Sequence, residues 1–200
     1  MADRLCAPED LASLLEKDLD AYKAIMLIEC GTAVVQTAAG DQRIVLVTDD
    51  TFEVMGTSDS FLQLPQRPVS AVADVTIDGD AVTAGTAWGN YKRFGSRLYR
   101  ACGWASCWSQ PSTIAGTYTH GYDVSAPDPS DWPQDVQLAR GAVLGLIRGL
   151  FDNPTGVSRE AIDDYQVAYE TMSAAMDANP NLQAALRRRY GQSAGLVRIG

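Results

Sequence analysis

The chain has 200 residues, of which 46% are hydrophobic and 20% charged, ordinary globular values that exclude a wholly disordered protein. Its 16 basic residues against 25 acidic ones leave a formal net charge of −9, a surface that repels nucleic-acid phosphate except where positive charge is segregated. A chain this long can bury about 70% of its unfolded surface, enough for one domain or one domain with a subdomain.

Met1-Ala2-Asp3-Arg4 leads into Pro8-Glu9-Asp10 rather than into an apolar stretch with a small-residue cleavage site, so the protein is expected to start in the cytoplasm. Proline and two acids suit a first helical turn, where a missing N–H costs nothing and negative charge meets the positive dipole end. A first helix is predicted over about residues 8–17. Asp18 or Asp20 can cap a second over about 20–38, whose Tyr22, Ile25, Met26, Leu27, Ile28, Cys30, Val34 and Val35 leave few polar positions and predict a central core helix. Glu29 in this helix, and Arg140 and Arg148 in a later apolar one, argue against a membrane span.

From Gln42 to Tyr122 the pattern changes to short runs rich in Val, Ile, Thr and aromatics, which predicts strands. Arg43–Val47, Phe52–Val54, Phe61–Leu64, Val72–Ile77, Ala81–Thr83, Leu98–Ala101 and Ile114–Thr119 are the candidates. Asp78-Gly79 suits a hairpin turn because both residues can take positive φ. Pro65 and Pro68 flank a link that cannot lie inside a central strand. Beyond the stiff Ser125–Asp131 loop, Asp131 or Ser130 can cap a third helix running to about Leu150. A loop then passes Asn153-Pro154 and a poorly patterned stretch reaches Tyr169. An apolar run with Met172 and Met176 can form a helix, and Asn179-Pro180 restarts a helix with Leu182, Leu186 and Tyr190 on one face. These elements predict an α+β protein, a bundle of about four helices (about 8–38 and 131–190) with a mainly antiparallel β subdomain (about 42–122) inserted and residues 191–200 as an extension.

Charge is unevenly placed. Residues 41–90 hold eight acids (Asp41, Asp49, Asp50, Glu53, Asp59, Asp74, Asp78, Asp80) and two bases (Arg43, Arg67), whereas residues 178–200 hold Arg187, Arg188, Arg189 and Arg198 with no acid. The tail beyond, Gly191 to Gly195 and then Leu196-Val197-Arg198-Ile199, reads as a linker carrying a β-prone segment able to add to a partner's sheet edge. Gly141, Gly145 and Gly149 repeat every four residues along the third helix, each costing about 1 kcal/mol relative to alanine. Close approach of another backbone, within the fold or from a neighbouring subunit, would offset that cost.

Other constellations carry bland readings. His120, the single histidine, has no G-x-S-x-G elbow to serve and reads as a turn-stabilising residue. Cys102 and Cys107 have C-x4-C spacing, but zinc would also need His120 with Cys6 or Cys30, so the four cysteines read as reduced thiols, with packed ones beside Trp104 and Trp108. Trp88, Tyr91, Lys92, Arg93, Phe94, Arg97, Tyr99 and Arg100 could stack on a single strand, though a hairpin contacting a protein partner suits an acidic chain better. Asp49-Asp50 and Asp163-Asp164 read as solvated turns.

The order Ala7-Pro8-Glu9-Asp10-Leu11, a long second helix, Leu64-Pro65-Gln66-Arg67-Pro68-Val69 with Val72, Val75 and Asp78-Gly79 behind it, Thr117-Tyr118-Thr119-His120-Gly121-Tyr122, and Phe151-Asp152-Asn153-Pro154-Thr155-Gly156 resembles the head-tail connector (adaptor) proteins of long-tailed bacteriophages, those of actinobacteria in particular. The resemblance covers about 160 residues; Trp88–Trp108 and the tail beyond Asn179 lie outside it. It implies a structural virion protein, not an enzyme, with no catalytic residue, cofactor or metal. Such a protein works in the neck and sits in the host cytoplasm during assembly. It would form a homo-oligomeric ring, a dodecamer, under the portal protein and give head-closure and tail-end proteins their attachment surface. Arg187, Arg188, Arg189, Tyr190, Leu196, Val197, Arg198 and Ile199, with Gly141, Gly145 and Gly149, are the candidate portal or subunit interface. An acidic lumen would let DNA pass without sticking. A head-closure or tail-terminator ring is the alternative within virion proteins, and a cytoplasmic hydrolase using His120 the alternative outside them.

With a net charge of −9, the isolated protein is expected to bind duplex DNA more weakly than about 1 μM at physiological salt. Filter binding checks this; tighter binding would reinstate a nucleic-acid module.

Overall fold

A computed structural model describes residues 4–16, 20–105, 112–126, 128–152 and 165–191. The protein is α+β, with antiparallel sheets in its β part. The chain divides into two compact units, one built from Met1–Val45 with Tyr122–Gly191, the other around Leu46–Gly121.

The first unit holds the helices α1 (Pro8–Leu15), α2 (Ala21–Ala38), α3 (Gln137–Asp152), α4 (Tyr165–Asp177) and α5 (Pro180–Tyr190). Helix α1 stops because Glu16 turns left-handed, at φ 51°. Asp20 caps α2, its carboxylate accepting from the amides of Tyr22 (3.0 Å) and Lys23 (3.3 Å). Leu27, Ile28, Cys30, Val34 and Val35 of α2 are all buried, and α1, α3, α4 and α5 all pack on this helix. The N-terminal strap is tied to α2 and α3: Leu5 donates its amide to the buried Thr32 hydroxyl of α2 (3.2 Å), and Asp10 of α1 takes the Arg140 guanidinium of α3 at 2.7 and 3.1 Å. That two-bond pairing holds the arginine pKa above its ordinary value.

Two boundaries differ from the sequence reading. The third helix begins later than Ser130 or Asp131, because the chain first makes two 3₁₀ turns, Pro129–Asp131 and Gln134–Val136. Asp128, not Asp131, accepts the capping bond, from Ser130 at 2.8 Å, and Trp132 fixes the link by donating to the Ala126 carbonyl at 2.8 Å. The apolar run with Met172 and Met176 is helical, and the helix, α4, begins earlier, at Tyr165 within the stretch read as poorly patterned; Ala168, Met172 and Met176 form its buried stripe. A helix restarts at Asn179-Pro180 as expected, and the Asn179 side chain caps it, accepting from the Leu182 amide at 3.2 Å.

The second unit holds the strands β1 (Val47–Met55), β2 (Phe61–Gln63), β3 (Val69–Ile77), β4 (Asp80–Ala81), β5 (Tyr91–Phe94), β6 (Arg97–Arg100) and β7 (Thr113–His120). They form a four-stranded sheet of order β1-β7-β3-β4 and a three-stranded sheet of order β2-β6-β5. The two sheets bury one shared cluster that includes Phe52, Leu62, Leu64, Val75, Leu98, Trp104, Ile114 and Tyr118. The expected first strand does not run through Arg43–Val47: Val45 makes only an isolated bridge to Tyr122, and the strand starts at Val47. Strand β5 is the one the sequence hid, since three of its four residues are exposed.

Aspartates of the acid-rich block do backbone work here. Asp49 and Asp74 take positive φ (53° and 52°), each within a register shift of its strand, between Val47 and Asp50 and between Ala73 and Thr76. Aspartate tolerates this left-handed conformation better than most residues. The β3–β4 hairpin turns through Asp78 (φ 52°) and Gly79 (φ 90°), the pair of positive φ values a tight two-residue turn needs.

Gly56 lies where two backbones nearly touch: a Cβ there would sit 2.0 Å from the Trp104 carbonyl oxygen. Gly56→Ala should therefore destabilise the protein by about 1–3 kcal/mol through overpacking, read as a lower melting temperature by circular dichroism. An unchanged melt would show that this backbone yields freely.

Candidate interaction surfaces

Among the described residues nothing packs against the glycines of α3. Gly141, Gly145 and Gly149 are exposed, and a Cβ added to any of them would meet none of those residues within 4 Å. Helix α3 buries its other side, with Ala139, Val143, Ile147 and Leu150, and Leu146 is buried on the flank between the two. Among the described residues no backbone makes the close approach expected of these glycines. The glycines instead lie along a groove of about 460 Å³ that Leu138 and Leu146 of α3, Ala175 of α4 and Leu182 of α5 complete. Leu138 is 39% exposed there. The glycine that does permit close helix packing is Gly31 of α2, whose added Cβ would meet Val143 at 3.0 Å and Met172 at 3.6 Å. The sequence reading missed it because an isolated glycine in an apolar run carries no periodic signal.

The arginine cluster at the end of α5 is split. Arg189 pairs with Asp135. Arg187 and Arg188 are exposed, and neither makes an ion pair among the described residues. Tyr190 is no surface residue: it is 2% exposed, its hydroxyl donating to the Asp135 carbonyl (2.5 Å) and accepting from the Ala139 amide (3.3 Å). Burial pushes its pKa up. It anchors α5 to the start of α3, which removes it from the candidate interface. Leu196, Val197, Arg198 and Ile199 lie outside the described residues.

His120, at the end of β7, is fully buried. Its Nε2 lies 3.0 Å from the Asp50 carboxylate, and its ring packs on Tyr118 with centroids 4.7 Å apart. Asp50 is thus a partner of the histidine across the β1–β7 pair rather than a solvated turn residue. Asp163 and Asp164 lie outside the described residues.

Burial pushes the thiols of Cys6 and Cys30 up to about 12 and about 11, so both stay protonated and inert. Cys102 is exposed, against the expectation of a packed thiol; Cys107 and Trp108 lie outside the described residues. No group of three or more metal-ligating side chains occurs among the described residues. No described helix is long and apolar enough to cross a membrane.

The aromatic and basic residues of the β unit do not act as one cluster. Tyr91 is buried. Arg93 donates to the carbonyls of Val69 (2.8 Å) and Gly95 (3.1 Å), and Arg100 to those of Gly89 (2.8 Å) and Gly103 (2.9 Å). Both guanidiniums hold loops together. Phe94 (56% exposed) and Phe61 (49%) remain at the surface with Lys92 and Arg97, and Trp88 is 80% exposed in the loop before β5. Neither a protein-family model nor a curated protein matches this chain.

Two sets of variants separate these roles. Gly31→Leu should cost about 1–3 kcal/mol or more by overpacking, while Gly145→Ala should stabilise by about 0.5–1 kcal/mol through helix propensity; denaturant titration reads both, and a destabilised Gly145→Ala would mean the groove is filled. Native alkylation at about pH 8 should modify Cys102 and spare Cys6 and Cys30, as peptide mass spectrometry would show.

Proposed function

We propose that this protein is a structural component of a phage neck, a head-to-tail adaptor that assembles as a ring under the portal protein. In that role it gives head-closure and tail-end proteins their attachment surface and lets DNA pass through its lumen. It works in the virion and is present in the host cytoplasm during assembly. The observation that carries the reading is the exposed glycine face of α3. Each glycine costs the helix about 1 kcal/mol, and no neighbour among the described residues uses the space that it leaves. A backbone from an adjacent subunit or from the portal would use it, packing against Leu138, Leu146 and Leu182 along the groove. The exposed Arg187 and Arg188 suit the same role as a cationic edge to that surface.

Size-exclusion chromatography with negative-stain microscopy, and co-sedimentation with purified portal-bearing heads, test the proposal. A ring, or a protein that attaches to heads, is the expected result. A monomer that ignores heads and hydrolyses esters would overturn it in favour of a hydrolase. Gly145→Leu should fold like the wild type yet fail to enter virions, because its side chain fills the groove; incorporation at the wild-type level would remove the glycine face from the interface. Deletion of residues 191–200 should leave the melting temperature nearly unchanged and abolish attachment, and normal attachment of the truncated protein would refute a role for the tail.

A further inference from the structure

The three-stranded sheet has one face turned into the core and one turned outward, and the outward face is unusual. Strand register places Phe61, Tyr99 and Lys92 in one row across β2, β6 and β5, and Gln63, Arg97 and Phe94 in the next. Alternation along the strands sends Leu62, Leu98 and Tyr91 to the buried side. The three outward rings form a mutually packed cluster: Phe61 to Tyr99 at 5.1 Å, Phe94 to Tyr99 at 6.1 Å and Phe61 to Phe94 at 6.3 Å between centroids. A solvent-facing sheet surface ordinarily carries polar residues, and an aromatic cluster left in water marks a binding surface.

The charges say what binds. Neither row holds an acid, in a chain whose net charge is −9. Lys92 makes no hydrogen bond or ion pair among the described residues. Arg97 spends only its Nε, on the Gln63 side-chain oxygen at 3.0 Å, which orients the guanidinium and leaves its terminal nitrogens to donate outward. We propose that this sheet face is a docking surface for a protein segment with an apolar centre flanked by carboxylates. The rings provide the apolar anchor site, and Lys92 and Arg97 pair with acids at its rim, the composition of an interface hot spot.

A single nucleic-acid strand fits less well. Base stacking needs open ring faces, whereas these rings meet at interplanar angles of 54° to 89° and spend faces on one another's edges. Two cations in an acidic chain are also a poor match for a phosphate backbone. The inference rests on the sheet alone and is independent of the neck assignment.

Fluorescence anisotropy of the full chain tests it with three probes: a labelled peptide with Leu-Phe-Leu flanked by Asp and Glu, the same peptide flanked by Lys and Arg, and an oligothymidine strand. The acidic peptide should bind at least about tenfold more tightly than the basic one and weaken with salt. Phe94→Ala should cost at least about tenfold in affinity, and Lys92→Glu with Arg97→Glu should reverse the peptide preference, with the thermal melt unchanged because these side chains lie outside the core. Failure of the acidic peptide to bind, equal binding of both peptides, or binding that survives both variants overturns the proposal. So does tighter binding of oligothymidine, which would make the face a single-strand surface. Self-association that Lys92→Glu with Arg97→Glu abolishes in analytical ultracentrifugation overturns it as well, and makes a second copy the occupant.

Discussion

Helix α2 has to leave water on almost every side, and the helical unit is organised around that demand. Leu27, Cys30, Val34 and Val35 are at or near complete burial, and they are spread too widely around the helix for one neighbour to cover. Four helices are needed, and α1, α3, α4 and α5 supply them. Gly31 sets how near two of those can come, with Val143 of α3 and Met172 of α4 seated against it. The remaining ties have the character of fasteners around this packing: Asp10 to Arg140 between α1 and α3, and Tyr190 with Arg189 to Asp135 between α5 and the turn before α3. Each is at least half shielded or doubly bonded, which is where polar contacts add to stability rather than merely decorate a surface.

The outward side of α3 follows from the same demand. Once its apolar stripe is committed to α2, the glycines along the other side, about two turns from first to last, meet nothing among the described residues. Side chains there would clash with none of those residues and would strengthen the helix. Under the proposed neck role, a backbone from a neighbouring molecule would occupy that space.

How far the sequence could be read depended on whether a residue's reason was local. The Asp20 and Asn179 caps and the Asp78-Gly79 turn were legible because capping and positive φ are decided by a few neighbouring residues. The α+β class was legible from the change in hydrophobic period. Strand β5 was not, since Lys92 and Arg93 interrupt its pattern and its inward face is little more than Tyr91; pairing with β6 makes it a strand. Gly31 and Tyr190 have the same explanation: what they touch lies far away in sequence, so a residue that looked like filler proved to be a contact point, and one that looked like surface proved to be an anchor. The register that gathers Phe61, Tyr99 and Phe94 on one face is likewise a property of pairing across three strands.

The acid-rich bulges of the four-stranded sheet bear on how the protein behaves at high concentration. One border of that sheet is β1, broken by the Asp49 irregularity and carrying Asp49, Asp50 and Glu53; the other is β4, only two residues long and starting at Asp80. Unpaired backbone along a sheet border invites another strand to continue the ladder, and bulges, charge and brevity each spoil that template. Both borders are therefore poor templates for ladder growth, which disfavours aggregation through this sheet.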